Sequence, residues 1–284
     1  MRLALISARP TIANKQKNIQ TMENYIKKTK ADLYIFGEYF LTGDRCKDEF
    51  RDLAEPLDGP SVQQLKKIAK TNKCHLIFGM PCKDSTVDGL IYNAAVLIQP
   101  DGTVGAYRKW FLPNAGPFEE KIFFDQGEDL PVFTTAVGKI GLLICYDLNF
   151  PELAKALTLQ GADILICISA SPTTTQRYFE TLLPARALEN TVFMAYVNLA
   201  GNQEDLIYWG GSQVYDPLGN VLVKAPYLKE SIITCDINLR LLESARARRP
   251  VLRDIRPEIY QDLYTLSRHH SIKKPPEEAT TKNC

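Results

Sequence analysis

The chain has 284 residues, enough for one large domain or two ordinary ones, and length alone does not decide between them. Hydrophobic residues make up 45% of it, which is enough for a full core, and a formal net charge of +1 gives no electrostatic reason to expect nucleic acid or a polyanionic surface as partner. The apolar stretch at the N-terminus is too short for a signal peptide or a membrane span, which predicts a soluble, cytoplasmic protein without a membrane partner.

Strand and helix signals alternate along the chain, with short turns between them. In chain order they predict a strand at 3–7, a helix at 15–30, a strand at 32–36, a helix at 60–72, strands at 74–79, 90–99 and 103–108, a long loop at 110–131, strands at 132–136 and 139–144, a helix from about 151, a strand at 163–168, a helix at 174–189, and strands at 192–198, 212–215, 221–223 and 231–236. We interpret this order as one α/β domain over 1–264, with two packed sheets and helices on the outer faces. A polar tail over 265–284 is predicted to be poorly ordered or associated with a dimer.

Cysteine and histidine usage limits the possible chemistry. None of the seven cysteines is spaced as C-x-x-C, so neither a zinc ribbon nor a thioredoxin-like motif is predicted. Of the three histidines, His75 lies in an apolar run, while His269 and His270 lie in the polar tail. A Ser-His-Asp or Cys-His mechanism therefore has almost no candidate base, and a nucleophilic cysteine would need another group to activate it.

Cys145 lies where an apolar, strand-like run ends and a helix-start signal follows. A thiol held by a buried strand, just before backbone N–H groups that point outward, is well placed for nucleophilic attack and oxyanion stabilisation. A buried structural cysteine is the alternative, and this segment alone does not choose between them.

Glu38 and Lys109 also stand just beyond apolar runs. Each alone fits an ordinary surface role. If the strand ends converge with that of Cys145, the lysine charge would lower the thiol pKa and stabilise an oxyanion, and the carboxylate would accept the thiol proton.

Together these segments resemble the nitrilase, or carbon–nitrogen hydrolase, superfamily. Phe36–Gly43 is similar to its glutamate motif, Tyr107–Pro113 to its lysine motif and Cys145–Glu152 to its nucleophile motif, and the likeness runs from Leu3 to about Tyr260. The resemblance implies a four-layer αββα sandwich with two mixed β-sheets, a Glu-Lys-Cys triad, homodimers, and no metal or organic cofactor.

The resemblance also implies residue roles. Glu38 would act as the base, Lys109 and the backbone N–H of Tyr146 would stabilise the oxyanion, and Cys145 would carry a thioester that water hydrolyses. Glu120 fits a second glutamate found in many members, near the lysine, where it would help position substrate or water.

The substrate is less sharply indicated. Cys-Tyr-Asp followed by Phe-Pro-Glu resembles the amidase branches, whereas the segment 169–175 departs from the patterns of well-defined branches. Arg177 and Tyr178 are candidates for substrate contact, and a helix-surface role fits them equally well. The leading hypothesis is a cofactor-free amidohydrolase that releases ammonia from a small linear amide. The alternatives are an N-carbamoyl-amine hydrolase or nitrilase with the same triad, and a catalytically silent scaffold.

Overall fold

The structure, a computed structural model, describes residues 1–269. Its strands are β1 Arg2–Ser7, β2 Leu33–Ile35, β3 His75–Lys83, β4 Ile91–Ile98, β5 Val104–Arg108, β6 Val132–Thr135, β7 Gly138–Ile144, β8 Ile164–Ser169, β9 Phe193–Asn198, β10 Ala200–Gln203, β11 Leu206–Trp209, β12 Gln213–Tyr215, β13 Val221–Lys224 and β14 Ser231–Asp236. Its α-helices are α1 Lys15–Lys28, α2 Phe50–Leu53, α3 Pro60–Asn72, α4 Glu120–Phe123, α5 Pro151–Leu159, α6 Gln176–Asn190, α7 Leu241–Arg248 and α8 Pro257–His269.

Two six-stranded sheets form the centre of the fold. The first has the strand order β14-β1-β2-β3-β4-β5, and the second β13-β12-β9-β8-β7-β6. Each sheet is mixed: β1, β2 and β3 run parallel in the first, and β7, β8 and β9 in the second, while the flanking strands are antiparallel. Parallel neighbours bring the carboxyl ends of their strands to one edge of a sheet, and this edge is where the site forms.

Side-chain alternation along β1 shows how the layers are built. Leu3 and Leu5 join a core with residues of the second sheet, whereas Ala4 and Ile6 join a core with α1 and α3 on the opposite face. Because successive side chains of a strand point to opposite faces, β1 contributes to both cores. The second sheet is covered on its outer face by α5 and α6, so the layers are helix, sheet, sheet and helix. The predicted αββα sandwich is thereby confirmed.

Strand β3 is longer than predicted, because it continues through Pro81 to Lys83. The ladder with β2 ends at Ile77, and beyond it the chain on that side bonds to β3 irregularly: the Leu41 N–H donates to Gly79 O, and Glu55 forms an isolated parallel bridge with Cys82. Pro81 accepts from the Glu55 N–H through its oxygen and has no N–H of its own to pair, which this irregular stretch tolerates.

Other elements were not predicted. These are the short helix α2, the single turn of α4 within the long loop, the β10–β11 hairpin, and the helices α7 and α8. Part of the predicted polar tail, residues 265–269, belongs to α8, and the rest of that tail lies outside the described residues. Within residues 1–269, no helix is both long enough and apolar enough to cross a membrane.

Candidate active site

Glu38, Lys109 and Cys145 follow the ends of β2, β5 and β7 and lie at one edge of the two packed sheets. All three are buried: Glu38 is 1% exposed, Lys109 0% and Cys145 7%. Buried charges are found in proteins where they are paired, so the partners of these groups define what the site can do.

The Glu38 carboxylate is held by three donors. Its Oε1 accepts from Lys109 Nζ at 2.8 Å and from Asn93 Nδ2 at 2.7 Å, and its Oε2 accepts from the backbone N–H of Ala170 at 2.8 Å. Gly79 lies against the Glu38 backbone, where a Cβ atom would come within 2.7 Å of Glu38 Cα. The carboxylate is therefore fixed in position, as a general base must be.

Asn93 and Ala170 were not predicted as site residues. Asn93 belongs to β4, and its side chain is fully buried. An Asn within the apolar run Ile91–Ile98 is a signal that could have indicated a buried polar partner. Ala170 acts through its backbone, which no side-chain motif indicates.

Lys109 bridges two carboxyl groups, because its Nζ also donates to Glu120 Oε1 at 2.7 Å. Burial alone would lower the pKa of Lys109, but Glu120 and Glu38 raise it well above its ordinary value, so the ammonium form is strongly favoured. Burial raises the pKa of Glu120 although Lys109 opposes this, and the charge on Glu38 raises it further. Glu120 thus lies beside Lys109, as the sequence predicted.

Cys145 begins a 3₁₀ turn, Cys145–Asn149, directly after β7. Its φ of +46° lies in the left-handed region, which is unfavourable for a residue with a side chain and is a form of strain that clusters at functional sites. Burial and the Glu38 carboxylate raise the pKa of the thiol well above its ordinary value, while Lys109 lowers it. The expected lowering by lysine is present, but burial outweighs it, so the resting thiol is protonated.

The buried Asp147 side chain holds this turn in place through three hydrogen bonds. Its Oδ2 accepts from Tyr107 Oη at 2.7 Å and from the backbone N–H of Ile144 at 3.1 Å, and its Oδ1 accepts from the backbone N–H of Phe111 at 3.0 Å. Burial raises the pKa of Asp147 to about 6, although Lys109 and these donors lower it. The aspartate joins the end of β5 to the nucleophile turn, a role the sequence did not reveal.

A cleft with a volume of about 240 Å³, partly open to solvent, leads to Cys145. Its walls come from the loop after β5, the nucleophile turn, and the segment from β8 into α6; they are formed by Pro113, Asn114, Ala115, Phe118, Cys145, Tyr146, Asn149, Ser171, Thr175, Tyr178 and Phe179. Tyr146 and Tyr178 therefore line the cleft, whereas Arg177 is exposed on α6 and is not among the lining residues. Among residues 1–269, no group of three or more His, Cys, Asp or Glu side chains is arranged to hold a metal ion.

Comparison with known proteins places this chain in a family. The carbon–nitrogen hydrolase family profile matches residues 2–247. The chain is 35% identical over 266 residues to a Pseudomonas protegens protein named "Hydrolase in pqqF 5'region", covering 93% of this chain and 92% of that one. It is also 35% identical over 220 residues to human omega-amidase NIT2, covering 74% of this chain and 78% of that enzyme.

The fold comparison agrees with the sequence comparison. The crystal structure of a carbon–nitrogen hydrolase from Helicobacter pylori superposes with a TM-score of 0.86 at 27% identity, covering 93% of this chain and 98% of that one. The chain belongs to the carbon–nitrogen hydrolase family, within the nitrilase superfamily, and is a hydrolase of carbon–nitrogen bonds other than peptide bonds.

Proposed function

We propose that the protein hydrolyses the C–N bond of a small, uncharged linear amide through a Cys145 thioester and releases ammonia. One observation carries this proposal: a buried Glu38–Lys109 pair, 2.8 Å from Oε1 to Nζ, stands beside a protonated thiol that lines an open cleft. A base, a cation and a nucleophile together are what acyl transfer requires.

Acylation begins with transfer of the Cys145 proton to Glu38 as the sulfur attacks the amide carbon. An S–C bond forms, and the carbonyl π electrons move to the oxygen. Lys109 stabilises this oxyanion together with the backbone N–H of Tyr146, which lies in the first turn of a 3₁₀ segment, where N–H groups have no partner inside the turn. Glu38 then protonates the nitrogen, the C–N bond breaks, and ammonia leaves.

Deacylation uses the same groups in reverse. Glu38 removes a proton from water, the hydroxide attacks the thioester carbon, and the C–S bond breaks. The sulfur recovers a proton from Glu38, and a carboxylic acid is released. We assign Glu120, bonded to Lys109 at 2.7 Å, the role of orienting the substrate or this water.

The cleft supports an uncharged substrate. None of the described residues that line it has a charged side chain; the lining consists of Pro, Ala, Phe, Tyr, Asn, Ser, Thr and the reactive Cys. A carboxylate bound there would lose its hydration without gaining a cationic partner, which is costly. Tyr178 is available to contact the acyl chain, whereas contact by the exposed Arg177 requires that its side chain turn into the cleft. The named activity of the human relative, an omega-amidase, favours an amide over a nitrile.

The test is ammonia release from a matched panel of propionamide, butyramide, hexanamide, succinamic acid, N-propylurea and butyronitrile. Wild type is compared with Cys145→Ala, which removes the nucleophile. We expect release from the uncharged amides, none in the variant, and little from succinamic acid. Hydroxamate formation when hydroxylamine is added would report the acyl-enzyme.

Other outcomes would overturn parts of the proposal. Preference for N-propylurea would identify a carbamoyl-amine hydrolase, and preference for butyronitrile a nitrilase. Faster turnover of succinamic acid than of butyramide would contradict the uncharged-substrate assignment. Ammonia release that persists in Cys145→Ala would contradict the thioester.

Assembly is a separate proposal. Several apolar side chains are exposed along α8, including Ile259, Leu263 and Tyr264, and they support a homodimer. Sedimentation at micromolar concentration that shows only monomer would contradict it. A cytoplasmic location likewise stays a prediction.

A further inference from the structure

The end of β8 lies between the base and the nucleophile. Strands β7 and β8 are parallel, and Ile144 is paired with Ile168, so the next residue of each strand, Cys145 and Ser169, reaches the same edge of the sheet. Ser169 also contacts the base, because its backbone oxygen accepts from the N–H of Glu38 at 3.4 Å. Ser169 therefore belongs to the site, although it does not line the cleft.

Two hydroxyl groups in this region are buried without a hydrogen-bond partner in the part of the chain that the structure describes. They are Ser169 Oγ and Tyr196 Oη, and both residues are fully buried. An unmade hydrogen bond in the interior is costly, so such groups call for an explanation. Tyr196 is paired with Cys167, two residues before Ser169, which places the Tyr196 and Ser169 side chains on the same face of the sheet.

Packing fixes the Tyr196 ring in this place. It stacks on Trp209 with a centroid distance of 5.4 Å and lies 5.3 Å from the ring of Phe179, which lines the cleft. Burial raises the pKa of Tyr196, as does neighbouring Cys145, and the hydroxyls of Ser169 and Ser171 lower it. The Ser169 hydroxyl also lowers the pKa of the Cys145 thiol. The three groups thus lie within interaction range of one another.

The Cys145 sulfur needs a hydrogen-bond donor when it carries a negative charge. Lys109 has three ammonium hydrogens, and in the resting site two of them are bonded to Glu38 and Glu120. When the Cys145 proton moves to Glu38, the negative charge on sulfur is buried, and an ionised acceptor in the interior forms hydrogen bonds stronger than neutral ones. A free hydroxyl beside the sulfur would supply one.

We propose that Ser169 donates its hydroxyl hydrogen to the Cys145 sulfur when the thiolate forms, and that Tyr196 positions Ser169 by donating to Ser169 Oγ. No covalent bond to Ser169 or Tyr196 forms or breaks: the thiol proton goes to Glu38, and both hydroxyls keep their own protons. The assignment rests on the proposed function for its role in turnover. The ionisation of the thiol can be measured without any amide substrate.

The test is the pH dependence of Cys145 alkylation by iodoacetamide, followed by mass spectrometry of the peptide that contains Cys145. Since the thiolate is the reacting species, the midpoint of the rate profile reports the thiol pKa. We expect Ser169→Ala to shift the midpoint to higher pH and to slow alkylation at neutral pH by about 10- to 100-fold. Tyr196→Phe should give a smaller shift in the same direction, and Ser169→Thr, which keeps the hydroxyl, should restore most of the rate.

Thr158→Ala is the matched control. It removes a buried hydroxyl on α5 that donates to the backbone oxygen of Ala154 at 2.8 Å, away from the thiol. Its alkylation profile should match wild type even if its stability falls. A Ser169→Ala profile with an unchanged midpoint would overturn the proposal, and so would a Tyr196→Phe shift larger than that of Ser169→Ala. A shifted midpoint in a protein that hydrolyses no amide would support the thiolate donor and contradict the proposed function instead.

Discussion

Replacing Lys109 by Met tests the charge balance on which the site depends. The Lys109 side chain is 0% exposed and donates to Glu38 and Glu120, whose side chains are 2% and 12% exposed. Methionine fills a similar volume, so lost packing contributes little. The two carboxyl groups would face each other without a cation, and removing one partner of a buried ion pair costs about 3–5 kcal/mol in the free energy of unfolding.

The loss of stability in Lys109→Met should increase as the pH rises. Without the cation, nothing offsets the negative charge of this buried carboxyl pair, so burial and mutual repulsion favour its protonated forms in the folded state. Glutamates of the unfolded chain titrate with a pKa of about 4.3. A carboxyl with a raised folded pKa favours the folded state below its unfolded pKa, and this advantage is lost as pH rises through the folded pKa. The stability gap between wild type and Lys109→Met should therefore be small near about pH 4 and grow toward about pH 8.

Urea unfolding at several pH values measures this gap. Lys67→Met, at an exposed lysine of α3, is the control and should change stability by less than about 0.5 kcal/mol at every pH. Adding Glu120→Gln to Lys109→Met removes one of the two opposed carboxyls and should recover part of the loss. A gap below about 1 kcal/mol that does not change with pH would refute the reasoning, because that is what an exposed ion pair gives. Amide turnover should fall by at least about 10²- to 10³-fold, as when an oxyanion donor is removed.

Three further substitutions test the supports of the site. Asn93→Ala removes the 2.7 Å bond to Glu38 and should lower kcat/KM for the amide about 10- to 100-fold; an unchanged value would show that Glu38 does not need this donor. Gly79→Ala places a Cβ 2.7 Å from Glu38 Cα and should cost about 1–3 kcal/mol in urea unfolding, whereas wild-type stability would contradict this close approach. Tyr107→Phe removes a donor to Asp147, whose pKa of about 6 should rise further. Thermal unfolding should therefore show a loss that grows as pH increases from about 4 to about 7, and a loss independent of pH would contradict the role of Asp147.

The parts of the site that could be predicted from sequence lie where a polar residue interrupts an apolar run. Glu38, Lys109 and Cys145 each follow such a run, and strand ends of a layered sheet converge, so their proximity was a reasonable prediction. The partners of Glu38 are harder to find in this way: the interrupted apolar run indicates that Asn93 is a buried polar residue but not what it contacts, and Ala170 acts through its backbone. The contact of Asn93 with Glu38 depends on which strands become neighbours, and the contact of Ala170 depends on a backbone N–H. The local spacing of residues predicts neither.

The sequence alone also could not predict whether the pKa of the Cys145 thiol is raised or lowered. The presence of a lysine nearby argues for a lowered pKa, but the result depends on the depth of burial and on the distance to each charge. In the folded chain burial of Cys145 and the Glu38 carboxylate outweigh Lys109. The same reason explains Asp147, since its effect comes from being enclosed between the end of β5 and the nucleophile turn.

Helix α8 shows a feature that the sequence reveals but whose packing it does not predict. Ile259 and Leu263 are spaced as one helical face, and the sequence shows them, yet both side chains are about half exposed in the described chain. A pattern identifies an apolar face but not what covers it. The core of the two packed sheets was therefore more predictable than the surface after β14.

The charges of the site support the proposal of an uncharged amide substrate. With Glu120 protonated, as its raised pKa favours, Lys109 and Glu38 cancel, and the site is electrically neutral before the substrate enters. In the proposed mechanism, Cys145 gives its proton to Glu38, and the negative charge moves from the carboxylate to the sulfur and then to the oxyanion, but the total does not change. Each negative intermediate forms beside the same buried ammonium, which needs no rearrangement to stabilise it. An anionic substrate, or an ionised Glu120, would add a negative charge that no described group offsets, and would oppose every one of these steps.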